Sequence, residues 1–286
     1  MWSIDTLIRY PLLGSLQPGT MVFLEHLLLV LIFVPLLYHR KFKLRKISTE
    51  AIFSFFVIGA IGSALATLAF TKAFSLINPS LVILLQKLQP VLVIFLSALV
   101  LKEKIHRNFY FFAAIAILGG LLVSYPDLAP LLHSSGESSQ VSLGYFLTLL
   151  AVAGWAASTV YGKKLGHAGF SETEIMAGRF VFGFVTLLAL CTANQSLPSA
   201  EIEAETYLKI AGMVLISGLL GMYLYYRGLK LLSAHIGSIA ELFFPISAVL
   251  INWIFLGKTL ELMQIAGAIV LIIASVGIHL NKKTLV

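Results

Sequence analysis

Between Phe70 and Leu101 the chain reads FTKAFSLINPSLVILLQKLQPVLVIFLSALVL, and Gln86, Lys87 and Gln89 stand just ahead of Pro90 in an otherwise apolar run. A second such set lies further on. Ser238, Glu241, Pro245, Ala248 and Asn252 are spaced by 3, 4, 3 and 4 residues, which puts all five on one face of a helix. Such side chains can donate and accept hydrogen bonds, present one positive and one negative charge, and hold a small solute or a proton. An ionisable group near a bilayer centre costs at least ~2.5 to 3.5 kcal/mol, so each one needs a partner, water or a task. The prolines free carbonyls in the preceding turn, which bends the helix and offers acceptors.

Moving the chain by 155 positions lays residues 225–256 over residues 70–101 without a gap. Pro245 then meets Pro90, Glu241 meets Gln86 and Arg227 meets Lys72, and the second stripe falls on Ile83, Gln86, Pro90, Val93 and Ser97. Two proline-bearing spans with hydrophilic residues one turn earlier are the pattern of a membrane protein assembled from two related halves around a midplane cavity. The expected cavity residues are Glu241, Lys87, Gln86, Gln89, Ser238, Asn252 and Trp155, with Pro90 and Pro245 as hinges. Other readings stay open. Lys87 and Glu241 also suit a buried pair that orders the bundle, and Lys87 can snorkel to headgroups. Trp155, like Trp2, suits packing or a membrane interface as well as a solute platform. Arg179 suits a tie to headgroups or to a helix end. Glu25 and His26 are adjacent and point about 100° apart, so only one is expected to face a cavity. Asp5 completes the ionisable groups expected within lipid.

The elements that must position these groups follow from composition. Hydrophobic residues make up 59% of the chain, charged ones 12%, and mean hydropathy is +0.95, far from soluble proteins. A helix needs roughly 20 apolar residues to cross the hydrocarbon core, and nine runs meet or approach that, near 20–39, 51–73, 80–101, 108–124, 142–164, 173–192, 206–229, 235–256 and 261–280. MWSIDTLIRYPLLG, ahead of them, is too short to span and is broken at Pro11. Trp2 aligns with Trp155 in LAVAGWAASTVYG, where about half a helix precedes the tryptophan, so Met1 is expected inside a helix 1 that lacks its front half. Counting that piece gives ten helices, five in each half, and an odd number turns the second half upside down. With the amino end inside, 14 of the 20 Lys and Arg fall in cytoplasmic gaps, around residues 40–46, 102–107, 163–164, 227–230 and 282–283. The outer gaps 125–141 and 193–205 hold acids and no Lys or Arg. A multi-pass protein with both termini cytoplasmic is the expectation.

Several function classes drop out. The basic balance, pI about 9.4, comes from these orienting clusters and not from a nucleic-acid surface. Cys191 is alone and can form no intrachain disulfide. No HExxH, GxSxG or GxxxxGK[ST] occurs, and the histidines lack ligand spacing, so no enzyme, metal or cofactor is expected. Gly62 with Ala66, and Gly218 with Gly221, read as close helix packing.

The segments AFSLINPSLVILLQKLQPVLVIFLSALVLKEKI and ILGGLLV, then GLKLLSAHIGSIAELFFPISAVLINWIFLGKTL and LMQIAGAIVLIIASVGI, carry a resemblance. Proline within helices 4 and 9, a Leu-x-Glu sequence just after and a glycine-bearing last helix in each half resemble the EamA type of the drug/metabolite transporter superfamily. Glu103 fills the family's glutamate position in the first half and Lys258 stands there in the second; AGRF matches its Arg-Phe in helix 7, against Leu24-Glu25-His26 in the first half. The resemblance implies two inverted halves, alternating access around a central cavity, and outward movement of small metabolites such as amino acids.

The expected fold is therefore an all-α integral membrane bundle of ten helices in two inverted five-helix repeats. Residues 1–124 form the first repeat, 125–141 an outer loop, 142–280 the second repeat and 281–286 a cytoplasmic tail. The expected function is a secondary transporter or facilitator for a small, amphipathic, amino-acid-like solute, in the export direction and in a bacterial plasma membrane. Its partners are that solute and the lipid bilayer, with no nucleic acid; a homo-oligomer is compatible with the composition. The alternatives are a nucleotide-sugar or lipid-linked cargo, or a receptor or assembly factor without flux.

Overall fold

The computed structural model describes residues 2–39, 48–105, 107–129, 138–195, 197–198, 202–221, 224 and 243–280, and every regular element among them is helical. In chain order these are α1 (Trp2–Leu12), α2 (Pro18–His39), α3 (Thr49–Phe74), α4 (Pro79–Val100), α5 (Arg107–Leu128), α6 (Ser138–His167) and α7 (Glu172–Ala193). Then come α8 (Ala204–Met213, continued by Val214–Leu220), α9 (Phe243–Leu256) and α10 (Leu262–Leu280). Seven of them, α2 to α7 and α10, are long and apolar enough to cross a membrane. The exposed side chains of α9, Trp253, Ile254 and Phe255 among them, are apolar, as a lipid-facing surface requires.

Local signals set the helix starts. Asn78 accepts the Ser80 N–H at 2.9 Å and Pro79 occupies the first turn of α4. Ser171 and Glu174 cap α7 reciprocally, each side chain taking the other's backbone N–H. In α1 the proline does not break the helix but sits in its last turn, after which the chain tightens into Gly14 N–H to Pro11 carbonyl at 3.0 Å. The stretch expected as an outer loop is shorter than 125–141, because α5 runs on to Leu128 and α6 starts at Ser138. A helix satisfies its own backbone and can continue past the hydrocarbon edge.

Glycines fix how closely the helices cross. A Cβ on Gly267 of α10 would lie 2.6 Å from the Val123 nitrogen and 2.9 Å from the Gly119 carbonyl of α5, and one on Gly119 would meet Leu271 N at 2.7 Å. Backbone thus lies on backbone, the close approach that small residues permit. The segment Val57–Leu65 of α3 is π-helical, and there Gly59 faces the Arg179 carbonyl of α7 while Gly62 faces Ser158 of α6. A second π segment, Val214–Leu220, lies in α8.

Among the pairings are α1 with α9 and α4 with α6; α3 with α6 and α7; α8 with α1 and α2; α2 with α7, α4 with α9, and α5 with α10; α4 also packs on α10 and α2 on α3. Two helix ends match in detail. After α4, Lys102 is left-handed at φ 58° and Glu103 N–H reaches the Ser97 carbonyl at 3.4 Å. After α9, Gly257 is left-handed at φ 62° and Lys258 N–H reaches the Asn252 carbonyl at 3.1 Å. Both helices end on a left-handed residue whose successor's N–H returns to a carbonyl six positions back, capping the last turn.

Candidate functional site

Pro90 has no N–H to give the Gln86 carbonyl, and α4 resolves this by taking a 3₁₀ turn over Gln86–Leu88, where the Gln89 N–H serves that carbonyl instead. The interruption falls on the polar residues themselves. Gln86, Lys87, Gln89 and Pro90 are all half-buried, and Leu88 between them turns toward Gly120 of α5. Helix α6 packs on this turn. It carries Trp155, half-buried, with its ring centroid 4.9 Å from Phe70, which in turn lies 4.6 Å from Phe74.

On α9 the buried residues are Pro245, Ala248 and Asn252, the stripe read from spacing. Asn252 Nδ2 donates to Ser80 Oγ at 3.1 Å and so ties α9 to the start of α4, while Asn252 Oδ1 accepts no hydrogen bond among the described residues. Ser238 and Glu241 lie outside the described residues, and the question of a Lys87–Glu241 pair lies there with them.

A second polar group, at the junction of α1, α2 and α3, was not assembled from spacing. Asp5 and Arg9 are one turn apart on α1, and Arg9 Nε donates to Asp5 Oδ2 at 2.7 Å. Its Nη1 donates to Thr71 Oγ1 of α3 at 3.0 Å, and Nη2 donates to Glu25 Oε2 of α2 at 3.3 Å. Arg9 and Glu25 are 7% and 6% exposed, so this is a buried network of charged groups. The i, i+4 pairing of Asp5 with Arg9 was visible in sequence; their convergence with Glu25 was not, because the short α1 could be placed only by packing.

Glu25 and His26 part as adjacent helical residues must, yet both are buried. His26 turns to α3 and α7: Nε2 lies 2.9 Å from Ser63 Oγ, Nδ1 lies 2.9 Å from the Val22 carbonyl, and the ring covers Gly183. Phe180 stands edge-on to it with centroids 6.1 Å apart. Arg179, half-buried on α7, and Arg9 of α1 are the charged groups that act on this histidine.

Polar ties close both ends of the bundle. At one end Asn78 donates to the Thr259 carbonyl at 2.7 Å, and Asp127 accepts from Tyr145 at 2.7 Å and from Gln264 at 3.2 Å. A depression of about 390 Å³ opens there between the turns at Ser75–Asn78 and Gly257–Thr259, with Lys258 Nζ 5.1 Å from the Tyr10 ring centroid. At the other end Lys163 pairs with Glu103, and Lys164 pairs with Glu50 at 2.6 Å. Among the described residues no group of three or more His, Cys, Asp or Glu could hold a metal ion.

Comparison with known proteins gives these groups a context. The sequence model of the EamA-like transporter family matches residues 1–125 and 142–280. The riboflavin transporter ImpX of Fusobacterium nucleatum is 32% identical over 283 residues, which is 97% of this chain and 93% of that protein. Protein PecM of Dickeya dadantii is 27% identical over 75% of this chain and 69% of its own. One crystal structure covers 97% of this chain and 91% of that chain at a TM-score of 0.59 and 18% identity, a likeness of fold.

Proposed function

This chain belongs to the EamA-like transporter family, and we propose that it moves riboflavin, or a small amphipathic molecule of that kind, across a bacterial plasma membrane by alternating access. The observation that carries the substrate is the 32% identity to a riboflavin transporter over nearly the whole of both chains. Such a molecule joins a flat ring to a hydroxylated tail. Trp155 with Phe70 offers the ring an aromatic wall, and Gln86, Lys87 and Gln89 on the opened turn of α4 offer the tail hydrogen bonds; Glu241, Ser238 and Asn252 are the polar residues assigned to the site from the other half. Pro90 and Pro245 serve as hinges.

The architecture proposed is two inverted five-helix repeats, residues 1–124 and 142–280, joined by 125–141 and followed by a tail at 281–286. Three observations support it. Several pairings exchange when each of α1 to α5 is swapped with its counterpart in α6 to α10: α1–α9 becomes α6–α4, α3–α7 becomes α8–α2, and α2–α7, α4–α9 and α5–α10 return to themselves, whereas α4–α10 and α2–α3 have no such counterpart among the described residues. The two left-handed C-cap residues, Lys102 and Gly257, and their hydrogen-bond partners all lie 155 positions apart. The two π segments end at Leu65 and Leu220, at the same separation. Clustering of Lys and Arg supports cytoplasmic termini.

A second reading keeps the amino-acid-like cargo, favoured by the opposite charges of Lys87 and Glu241, which suit a zwitterion. Counterflow of labelled solute into liposomes holding the purified protein decides between them. Exchange of riboflavin supports the first reading, exchange of amino acids alone supports the second, and exchange of neither leaves a protein without flux. Loading from each side in turn then tests export, the direction the family resemblance implies. A Glu241→Gln variant exchanging at the wild-type rate over a range of pH removes Glu241 from the site.

A further inference from the structure

The charges gathered by α1, α2 and α3 do not sum to zero. Asp5 and Glu25 bring two carboxylates, Arg9 one guanidinium, and Thr71 none. Glu25 lies about two turns into α2, roughly 10 Å from its start and within the span. An uncompensated charge at that depth is strongly disfavoured, because desolvation penalises the charged form.

Arg9 does not serve its two acids alike. Its Nε–H⋯Oδ2 bond to Asp5 is 2.7 Å long, whereas Glu25 receives one bond of 3.3 Å at Oε2. Glu25 Oε1 is 2.9 Å from Nη1, which donates to Thr71, and accepts no hydrogen bond among the described residues. One oxygen of a buried carboxylate is therefore left with a Coulombic contact alone. Among the described residues the charged groups acting on Glu25 are Arg9 and Asp5 of α1. From α2 itself, His26 points away to Ser63, and Arg179 of α7 stands by that histidine. On α3, Lys72 beside Thr71 is exposed. A metal cation would want six or so oxygen ligands, and the place offers one oxygen without a hydrogen bond.

We propose that Asp5, Arg9 and Glu25 form a site for one proton, with Glu25 the group that takes it and gives it up, and that its loading couples solute movement to a proton gradient. The coupling half of this rests on the transporter reading above. Protonation adds an O–H bond at Glu25 and leaves Arg9 on Asp5, so the cluster is neutral; release returns the proton to water and leaves Arg9 shared between two carboxylates. Because neutrality is the driving condition, removing either acid's charge abolishes the need for the proton.

Two measurements on the full-length protein test this. Infrared titration of purified protein is expected to show the C=O stretch of a protonated carboxyl that appears on acidification, is lost in both Glu25→Gln and Asp5→Asn, and persists in Glu25→Asp. In proteoliposomes, riboflavin accumulation driven by a pH gradient is expected to fall about tenfold or more in Glu25→Gln, within the range usual for coupled sites, while counterflow without a gradient is retained. A titrating band unchanged in Glu25→Gln, or no such band in the wild type, overturns the proton site. Gradient-driven accumulation equal in the two proteins overturns the coupling. If the wild type gives no counterflow with any solute, the transport reading fails alone, and the band still decides the site.

Discussion

Arg9 is the residue on which the first three helices converge, and its guanidinium is suited to this because its donors diverge in a fixed fork. Asp5, Glu25 and Thr71 lie in three directions at 2.7 Å, 2.9 Å and 3.0 Å from its nitrogens. Replacing it with Gln leaves two acids buried without a cation, which costs about 3 to 5 kcal/mol. Thermal unfolding of the detergent-solubilised variant is expected to begin well below the wild type. Arg9→Lys is expected to recover only part of the loss, since an ammonium on a flexible stem cannot hold all three partners at once. Equal melting of all three proteins would mean that Arg9 does not organise this junction.

Between elements, contact is set by how closely backbones pass. Gly267→Ala would push a methyl against the Val123 nitrogen and the Gly119 carbonyl, and backbone cannot swing aside as a side chain can. The expected cost is about 1 to 3 kcal/mol of overpacking. Ala268→Gly, one residue on, controls for the general cost of a change in α10; a Gly267→Ala protein no less stable than that control would refute the close crossing. The C-cap after α4 makes the opposite prediction. Lys102 holds φ 58° where the matching position after α9 carries Gly257 at φ 62°. A side chain in that region is disfavoured by about 1 kcal/mol, so Lys102→Gly is expected to raise stability by up to that amount.

For the whole molecule the decisive property is which ends face which side. Asn78 and Thr259 meet at one end, and Lys163 meets Glu103 at the other. Cys191 is the single cysteine and is buried, so a Cys191→Ala background carries no competing thiol. Cysteines placed at Asn78 and at Lys163 in that background are expected to react with a membrane-impermeant maleimide from opposite faces of the cell membrane, Asn78 from outside. Labelling of both from one face would sink the alternating topology.

Sequence by itself determined the medium, the all-helical character and the polar interruption of α4, because apolar length and periodicity are local quantities and Pro90 acts on its own turn whatever surrounds it. The buried stripe Pro245, Ala248 and Asn252 was legible for the same reason, since spacing of three and four residues defines a face before any partner is known. What that face touches was not. That Asn252 reaches Ser80, that Arg9 joins Asp5 to Glu25, and that Gly119 lies under Gly267 were decided only when helices far apart in the chain were brought together. In a bilayer every helix satisfies its own backbone, so strand pairing cannot announce its neighbours; the choice rests on small residues and on the few polar groups that lipid will not accept.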